Sequence, residues 1–151
     1  PGDTGAAAAV FTAHLRHQLR ARQLRAAGHT ARALAEVERG WPPPVATFFM
    51  KDDSYSTVAE RYLRAELLDT AGRDADALLW YGSLAEDISR GLVFPTAARL
   101  GRARVLERTG RPGAAAAEYA RYLRTWSGAD PEARDGAGYA RARLAALRPA
   151  T

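Results

Sequence analysis

An internal repeat constrains this sequence more than any other feature. Residues between Ala65 and Ile88 recur 38 positions later, as the pairs Ala65/Ala103, Leu68/Leu106, Gly72/Gly110, Ala77/Ala115, Tyr81/Tyr119, Leu84/Tyr122 and Ile88/Trp126. A weaker copy lies 44 positions upstream and consists of Ala21, Leu24, Gly28, Ala33 and Val37. Repeats of this length are typical of helical arrays, in which each unit buries its apolar face only by stacking on its neighbours.

Each copy carries the signals of two helices joined by a glycine turn. After the glycine, apolar residues recur at i, i+4, i+7 and i+11, which places them on one face of a helix. No stretch alternates apolar and polar residues as a strand would. The sequence therefore predicts seven helices, at about 5–27, 31–40, 54–71, 75–90, 95–109, 112–127 and 131–148. In the first of them, Phe11, Leu15 and Leu19 are predicted to form the apolar face.

These helices predict an all-α fold in one domain that covers residues 1–151. Three antiparallel hairpins, at about 5–40, 54–90 and 95–127, are expected to stack as a right-handed superhelix, with a capping helix at about 131–148. The small alanines let two helices approach closely, and glycine takes the left-handed conformation that reverses the chain.

Composition narrows the class of protein. Apolar residues make up 47% of the sequence, which is ordinary for a folded domain, and no apolar run reaches the roughly 18 to 20 residues of a membrane span. The absence of cysteine excludes disulfides, thiolate metal sites and cysteine nucleophiles, and it fits a cytoplasmic location. Richness in Ala, Arg and Gly indicates a high-GC bacterial genome. No signal peptide is recognisable. Because the sequence starts at Pro1 and not at Met, we expect a piece of a longer protein or a processed product.

The repeat resembles the tetratricopeptide family, whose hairpins carry small residues in the first helix, and an alanine and then an aromatic residue in the second. The matching residues are Ala65, Ala77 and Tyr81, then Ala103, Ala115 and Tyr119, although the family spacing is about 34. A narrower similarity, to C-terminal repeat arrays of large bacterial signalling proteins, lies in Arg61–Leu68, Trp80-Tyr81, Tyr119–Leu123 and Trp126–Glu132.

The resemblance implies a groove, lined by the first helix of each hairpin, in which a protein or peptide partner binds. The matched positions are Gln18, Arg22, Tyr62, Glu66, Asp69, Arg104, Glu107, Arg108, Tyr139 and Arg143. One position of the repeat recurs four times, as Arg22, Glu66, Arg104 and Arg143, and three of these residues are arginine. Guanidinium groups suit an acidic segment or the terminal carboxylate of a partner. The simpler interpretation, which the composition favours, is that arginine is common in this sequence.

Other candidate sites have simpler explanations. The aromatic residues Trp80, Tyr81, Tyr119, Tyr122 and Trp126 have the spacing of core residues rather than of a recognition surface. Metal binding by His14 and His17 lacks a third ligand, and the carboxylates Asp52, Asp53, Glu66 and Asp69 suit helix caps and solvated surface better than catalysis. The segment Trp41-Pro42-Pro43-Pro44 is either a polyproline ligand or, as we favour, a rigid connector.

The sequence thus predicts a protein–protein interaction scaffold without a cofactor, a metal or catalytic activity, because no phosphate loop or catalytic motif is present. The alternative is a nucleic-acid-binding accessory domain that uses the basic N-terminal helices, where Arg16, Arg20, Arg22, Arg25 and Arg32 cluster.

Overall fold

The computed structural model describes residues 4–41, 58–85, 93–125 and 134–147. They contain seven helices: α1 (Thr4–Ala26), α2 (Thr30–Arg39), α3 (Val58–Thr70), α4 (Asp74–Ala85), α5 (Val93–Arg108), α6 (Pro112–Thr125) and α7 (Arg134–Ala146). No strand occurs among the described residues, so the predicted all-α class is confirmed. None of the described helices combines the length and the hydropathy that crossing a membrane requires.

The chain divides into two compact units, residues 1–73 (unit one) and residues 74–151 (unit two). In unit one, α2 packs against both α1 and α3, and in unit two each helix from α4 to α7 packs against the next. The predicted hairpin at about 54–90 contributes α3 to unit one and α4 to unit two. The single domain and the superhelix remain predictions.

Three tight turns end α1, α3 and α5 in the same way. Gly28, Gly72 and Gly110 have φ values of 77°, 71° and 73°, in the left-handed region that favours glycine. In each turn the glycine N–H donates to the carbonyl three residues back, and the next N–H donates to the carbonyl five residues back. This double hydrogen bond is the Schellman motif, which satisfies the last carbonyls of a helix.

The repeated alanines lie where the helices approach one another. Ala21, Ala33, Ala65, Ala77, Ala103 and Ala115 all have exposures of 0%. In unit two, Tyr119 and Tyr122 join Ala103, Leu106 and Ala115 in one buried cluster with Ala137 and Ala140 of α7. A Cβ atom on Gly136 would lie 2.5 Å from the Tyr122 hydroxyl, so α6 and α7 also meet closely.

The predicted apolar face of α1 is wrong at Leu15 and Leu19, whereas Phe11 is half-buried. Leu15 and Leu19 are 43% and 59% exposed, whereas His14, Gln18 and Ala21 form the buried face. Hydrogen bonding explains why a histidine occupies that face: the His14 ring contacts the Gly40 carbonyl and the Glu60 carboxylate. Burial of a polar side chain is tolerated when its polar atoms have partners.

Candidate functional site

An open cleft of about 540 Å³ lies between α5 and α7 in unit two. Its lining residues are Arg104, Glu107 and Arg108 from α5, and Tyr139 and Arg143 from α7. Arg104 contacts Tyr139 and Glu107 contacts Arg143, so the two helices run in the same direction. The cleft therefore brings together all five predicted groove residues of unit two: Arg104, Glu107, Arg108, Tyr139 and Arg143.

Helix periodicity explains how these side chains converge. Arg104 and Arg108 are four residues apart on α5, and Tyr139 and Arg143 are four residues apart on α7, so each pair projects from one helix face. The neighbouring residues Ala103 and Leu106 of α5, and Ala140 of α7, face the core and fix the orientation of both helices.

Glu107 links the two sides of the cleft. Its Oε1 accepts hydrogen bonds from Nε of Arg143, at 2.9 Å, and from Nη2 of the same guanidinium. Its Oε2 accepts a hydrogen bond from the Tyr119 hydroxyl at 2.9 Å. The hydrogen bonds from Arg143 lower the pKa of Glu107, with a smaller contribution from Tyr119. Glu107 is thus an ionised carboxylate with both oxygens occupied.

Burial raises the pKa of Tyr119, and the neighbouring Tyr139 and Glu107 raise it further. The Tyr119 hydroxyl therefore stays protonated and donates to Glu107 throughout the physiological range. The ring of Tyr119 also meets the ring of Tyr139 edge to face, with centroids 6.1 Å apart. These contacts fix Tyr139 at the edge of the cleft.

The three arginines of the cleft differ in their partners. Arg143 is paired with Glu107, and Arg108 is paired with Asp74, whose Oδ1 lies 2.5 Å from Nη2 of Arg108. Arg104 instead stacks on Tyr139, with its guanidinium carbon 4.9 Å from the ring centroid. Within the part of the protein that the structure describes, no carboxylate pairs with Arg104, so one positive charge of the cleft is uncompensated.

The predicted groove residues of unit one have different environments. Arg22 is exposed on α1, and Tyr62 and Glu66 are half-buried on α3. Glu66 is paired with Arg25, at 2.8 Å. Gln18 is only 1% exposed, so its predicted place in the groove lining is wrong: it belongs to the core.

Arg25 and Glu66 occupy the same repeat positions as Glu107 and Arg143. Arg25 and Glu107 each lie three residues before the turn glycine, and Glu66 and Arg143 are equivalent on the following first helix. Both units therefore have an ion pair between these two positions, but the charges are exchanged: the residue before the turn is the cation in unit one and the anion in unit two.

A second repeated feature was missed by the sequence interpretation. Glu36 and Glu118 each lie eight residues after a turn glycine, and both are buried. Oxygens of Glu36 lie 2.7 Å from His17, 2.8 Å from Arg39 and 3.7 Å from Arg20. Oxygens of Glu118 lie 3.2 Å from Arg99, 2.8 Å from Arg121 and 3.6 Å from Arg102.

Both carboxylate clusters use the same repeat positions. Gly28 and Gly110 are 82 residues apart. The same shift of 82 residues relates the cluster around Glu36 to the cluster around Glu118: His17, Arg20, Glu36 and Arg39 correspond to Arg99, Arg102, Glu118 and Arg121. Comparing the first and third repeats directly would have revealed this shift. In the middle repeat the carboxylate position is Trp80.

The remaining candidates have structural roles where they are described. Tyr81, Tyr119 and Tyr122 are buried, so the core interpretation of these three is confirmed, and Trp80 is half-buried. His14 and His17 contact different carboxylates, and the described residues hold no group of three side chains suited to a metal ion. Trp126, Asp52, Asp53 and the proline run 42–44 lie outside the described residues.

Comparison with known proteins found no matching family model, no similar curated protein and no similar solved structure.

Proposed function

We infer that this protein is a protein–protein interaction module, which holds an acidic segment of a partner protein in the cleft between α5 and α7. In this proposal it is a tetratricopeptide-like part of a larger bacterial protein or assembly, located in the cytoplasm. The observation that carries the proposal is the convergence of Arg104, Arg108, Tyr139 and Arg143, four residues expected to face a partner, in one open cleft.

The charge of the cleft favours an acidic partner segment. Glu107 and Asp74 compensate Arg143 and Arg108, whereas Arg104 keeps an uncompensated guanidinium among the described residues. Stacking on Tyr139 limits the freedom of the Arg104 side chain, so less conformational entropy is lost when a carboxylate binds. A partner carboxylate is therefore expected to bind the open edge of the Arg104 guanidinium.

The same groups suit binding better than catalysis. A general acid or base works best when its pKa lies near the working pH. Glu107 has a lowered pKa and Tyr119 a raised one, so both keep one protonation state near neutral pH. We therefore propose a binding role without an enzymatic activity.

The test is capture of partners from a bacterial lysate by the full-length protein, compared with a charge reversal in the cleft. Arg104→Glu should lose the partners that the unaltered protein retains, because the open cation becomes an anion. Arg111→Glu is the matched control, since Arg111 is exposed in the turn before α6 and does not line the cleft. Equal capture by the unaltered protein and both variants would reject the proposed cleft.

The alternative function, nucleic-acid binding, is favoured by one observation. α1 contains four arginines, His14 and His17, and no acidic residue. However, Arg20 is paired with Glu36 and Arg25 is paired with Glu66, so these carboxylates offset part of the positive charge that α1 could present to a phosphate backbone. Nucleic-acid binding predicts that oligonucleotide affinity falls steeply with salt concentration. A flat response, or no binding at low salt, would reject this alternative.

A further inference from the structure

Two leucines of α1 are exposed on a side of the helix that is buried in later copies of the repeat. Leu15 is 43% exposed and Leu19 is 59% exposed. The helices that begin the later copies have Leu63 on α3, Gly101 on α5 and Ala140 on α7 at the position of Leu19. All three of these residues are buried. The position of Leu19 is therefore a packing position that α1 leaves open.

In the later copies, the preceding helix of the chain packs on this side. Tyr81 of α4 packs against Gly101 and leaves no room for a Cβ atom there. Ala140 of α7 lies in one buried cluster with Tyr119 of α6. In unit one, α2 packs against α3, the helix of Leu63. None of the described helices takes the corresponding place on α1, so its exposed leucines mark a surface suited to receive a helix.

Side-chain size indicates which helix fits this surface. The ring of Tyr81 is accommodated only because residue 101 is glycine. At that position α3 has Leu63, and the residue of α2 that corresponds to Tyr81 is Val37, which is fully buried. Leu19 is the same residue type as Leu63, and an added large side chain would overpack the contact. The helix that packs on α1 should therefore carry aliphatic residues of about the size of valine, and not tyrosine.

Charge indicates what borders the aliphatic residues of that helix. Arg16 and Arg22 lie on either side of the leucine pair around α1, and both are exposed. Among the described residues no carboxylate pairs with either guanidinium, and α1 itself has no acidic residue. A second copy of α1 would place like charges together at this surface. An acidic helix instead complements both arginines.

We propose that the face of α1 around Leu15 and Leu19 binds an amphipathic helix of a partner protein, with aliphatic residues along its contact face and glutamate or aspartate at the edges of that face. The partner helix packs on α1 as α4 packs on α5. The leucines supply apolar burial, and the arginines select the acidic partner. This surface belongs to unit one, whereas every residue that lines the cleft between α5 and α7 belongs to unit two.

The probe for this surface is a peptide with the sequence of α2. This helix packs against α3, and its Val37 lies between Glu36 and Glu38 in the sequence. A helix of ten residues is marginal in isolation, so a hydrocarbon staple replaces Arg32 and Arg39, two exposed residues about two turns apart. The stapled peptide thus has the aliphatic and acidic chemistry that the proposal requires.

The test follows the methyl NMR signals of Leu15 and Leu19 in the full-length protein while the stapled peptide is added. Both signals should shift, and Leu19→Arg should weaken binding by at least about tenfold, because one leucine is no longer buried. Val10→Arg is the matched control and should bind as the unaltered protein does. Val10 is also exposed on α1, but it lies nine residues before Leu19, about two and a half turns, and so on the opposite side of the helix.

Several results would overturn the proposal. Leucine signals that do not shift, as expected if another segment of the same polypeptide covers the face, would do so, as would equal affinity in Leu19→Arg. A dimer in sedimentation equilibrium that Leu19→Arg abolishes would assign the face to a second copy instead. Loss of binding in Arg104→Glu would place the peptide in the cleft of unit two. Finally, a peptide with lysine in place of both glutamates should bind more weakly at low salt, and equal binding would contradict the acidic edges.

Discussion

The ring of Tyr81 packs directly against the backbone of Gly101. A Cβ atom on Gly101 would lie 2.5, 2.7 and 2.9 Å from ring atoms Cζ, Cε1 and Cε2 of Tyr81. The aromatic residue of α4 is thus accommodated because α5 has no side chain at the contact. Tyr119, the repeat equivalent of Tyr81, instead meets the ring of Tyr139 edge to face.

This contact predicts that Gly101→Ala destabilises unit two. The added methyl group overlaps an almost fully buried ring, and overpacking of this kind costs about 1 to 3 kcal/mol. The measurement is the free energy of unfolding of the full-length protein in urea. Gly138→Ala on α7 is the control, because a Cβ atom there meets nothing within 4 Å and alanine favours a helix. Equal stability of the two variants would contradict the described packing.

The opposite arrangement of the ion pair in unit one predicts that Glu107 and Arg143 of unit two still attract each other when the two residues are exchanged. Glu107→Arg and Arg143→Glu should each lower the melting temperature, because each places like charges together across α5 and α7. The double variant should recover part of the loss, since unit one has the same arrangement in Arg25 and Glu66. Recovery is incomplete because the buried Tyr119 hydroxyl loses Glu107 as its acceptor. Additive losses in the double variant would show that the two side chains do not interact.

The buried carboxylate of Glu118 on α6 predicts that a substitution that removes only its charge lowers the free energy of unfolding strongly. Glu118→Gln keeps the shape of the side chain but leaves Arg99, Arg102 and Arg121 without their common anion. Removing one partner of a buried ion pair is costly, and we expect a loss of about 2 to 4 kcal/mol in urea denaturation. Asp135→Asn on the exposed face of α7 should change stability by less than about 0.5 kcal/mol.

The repeat was visible in the sequence because backbone geometry requires particular residues. The left-handed turns at Gly28, Gly72 and Gly110 favour glycine, and the fully buried contacts at Ala77 and Ala115 leave room for little more than a methyl group. Such requirements leave a recognisable pattern at fixed spacing. They predicted all seven helices that the structure describes, whereas the residues of the cleft between α5 and α7 were expected only from the family resemblance.

The buried polar contacts were not predictable in the same way. Leucines indicated the wrong face of α1, because burial of His14 depends on Gly40 and Glu60, 26 and 46 residues away. Similarly, glutamate is a residue type that usually lies at the surface, and Glu118 can be buried only because arginines of α5 approach its carboxylate. Charge pairs depend on long-range geometry, and residue type alone does not reveal them.

Glu36 predicts how acid affects unit one. The hydrogen bond from His17 is the largest influence and lowers the pKa of Glu36 below its ordinary value of 4.5, with Arg39 and Arg20 acting in the same direction against burial. A carboxylate with a lowered pKa in the folded state stabilises the fold above its ordinary pKa and loses this effect as the pH falls. Glu36→Gln should therefore be less stable than the unaltered protein near pH 7, and this difference should shrink below pH 4.5. A difference that stays constant with pH would contradict this assignment.

The central claim, that a partner segment lies between α5 and α7, is tested most directly by photo-cross-linking in cells. A photoreactive residue replaces Ala142, which is exposed on α7 between Tyr139 and Arg143, or Ala117, which is exposed on α6. The account predicts a cross-linked partner at position 142 that is absent at position 117 and is lost when Arg104→Glu is added. Equal cross-linking at both positions, or a cross-link at 142 that survives Arg104→Glu, would contradict it.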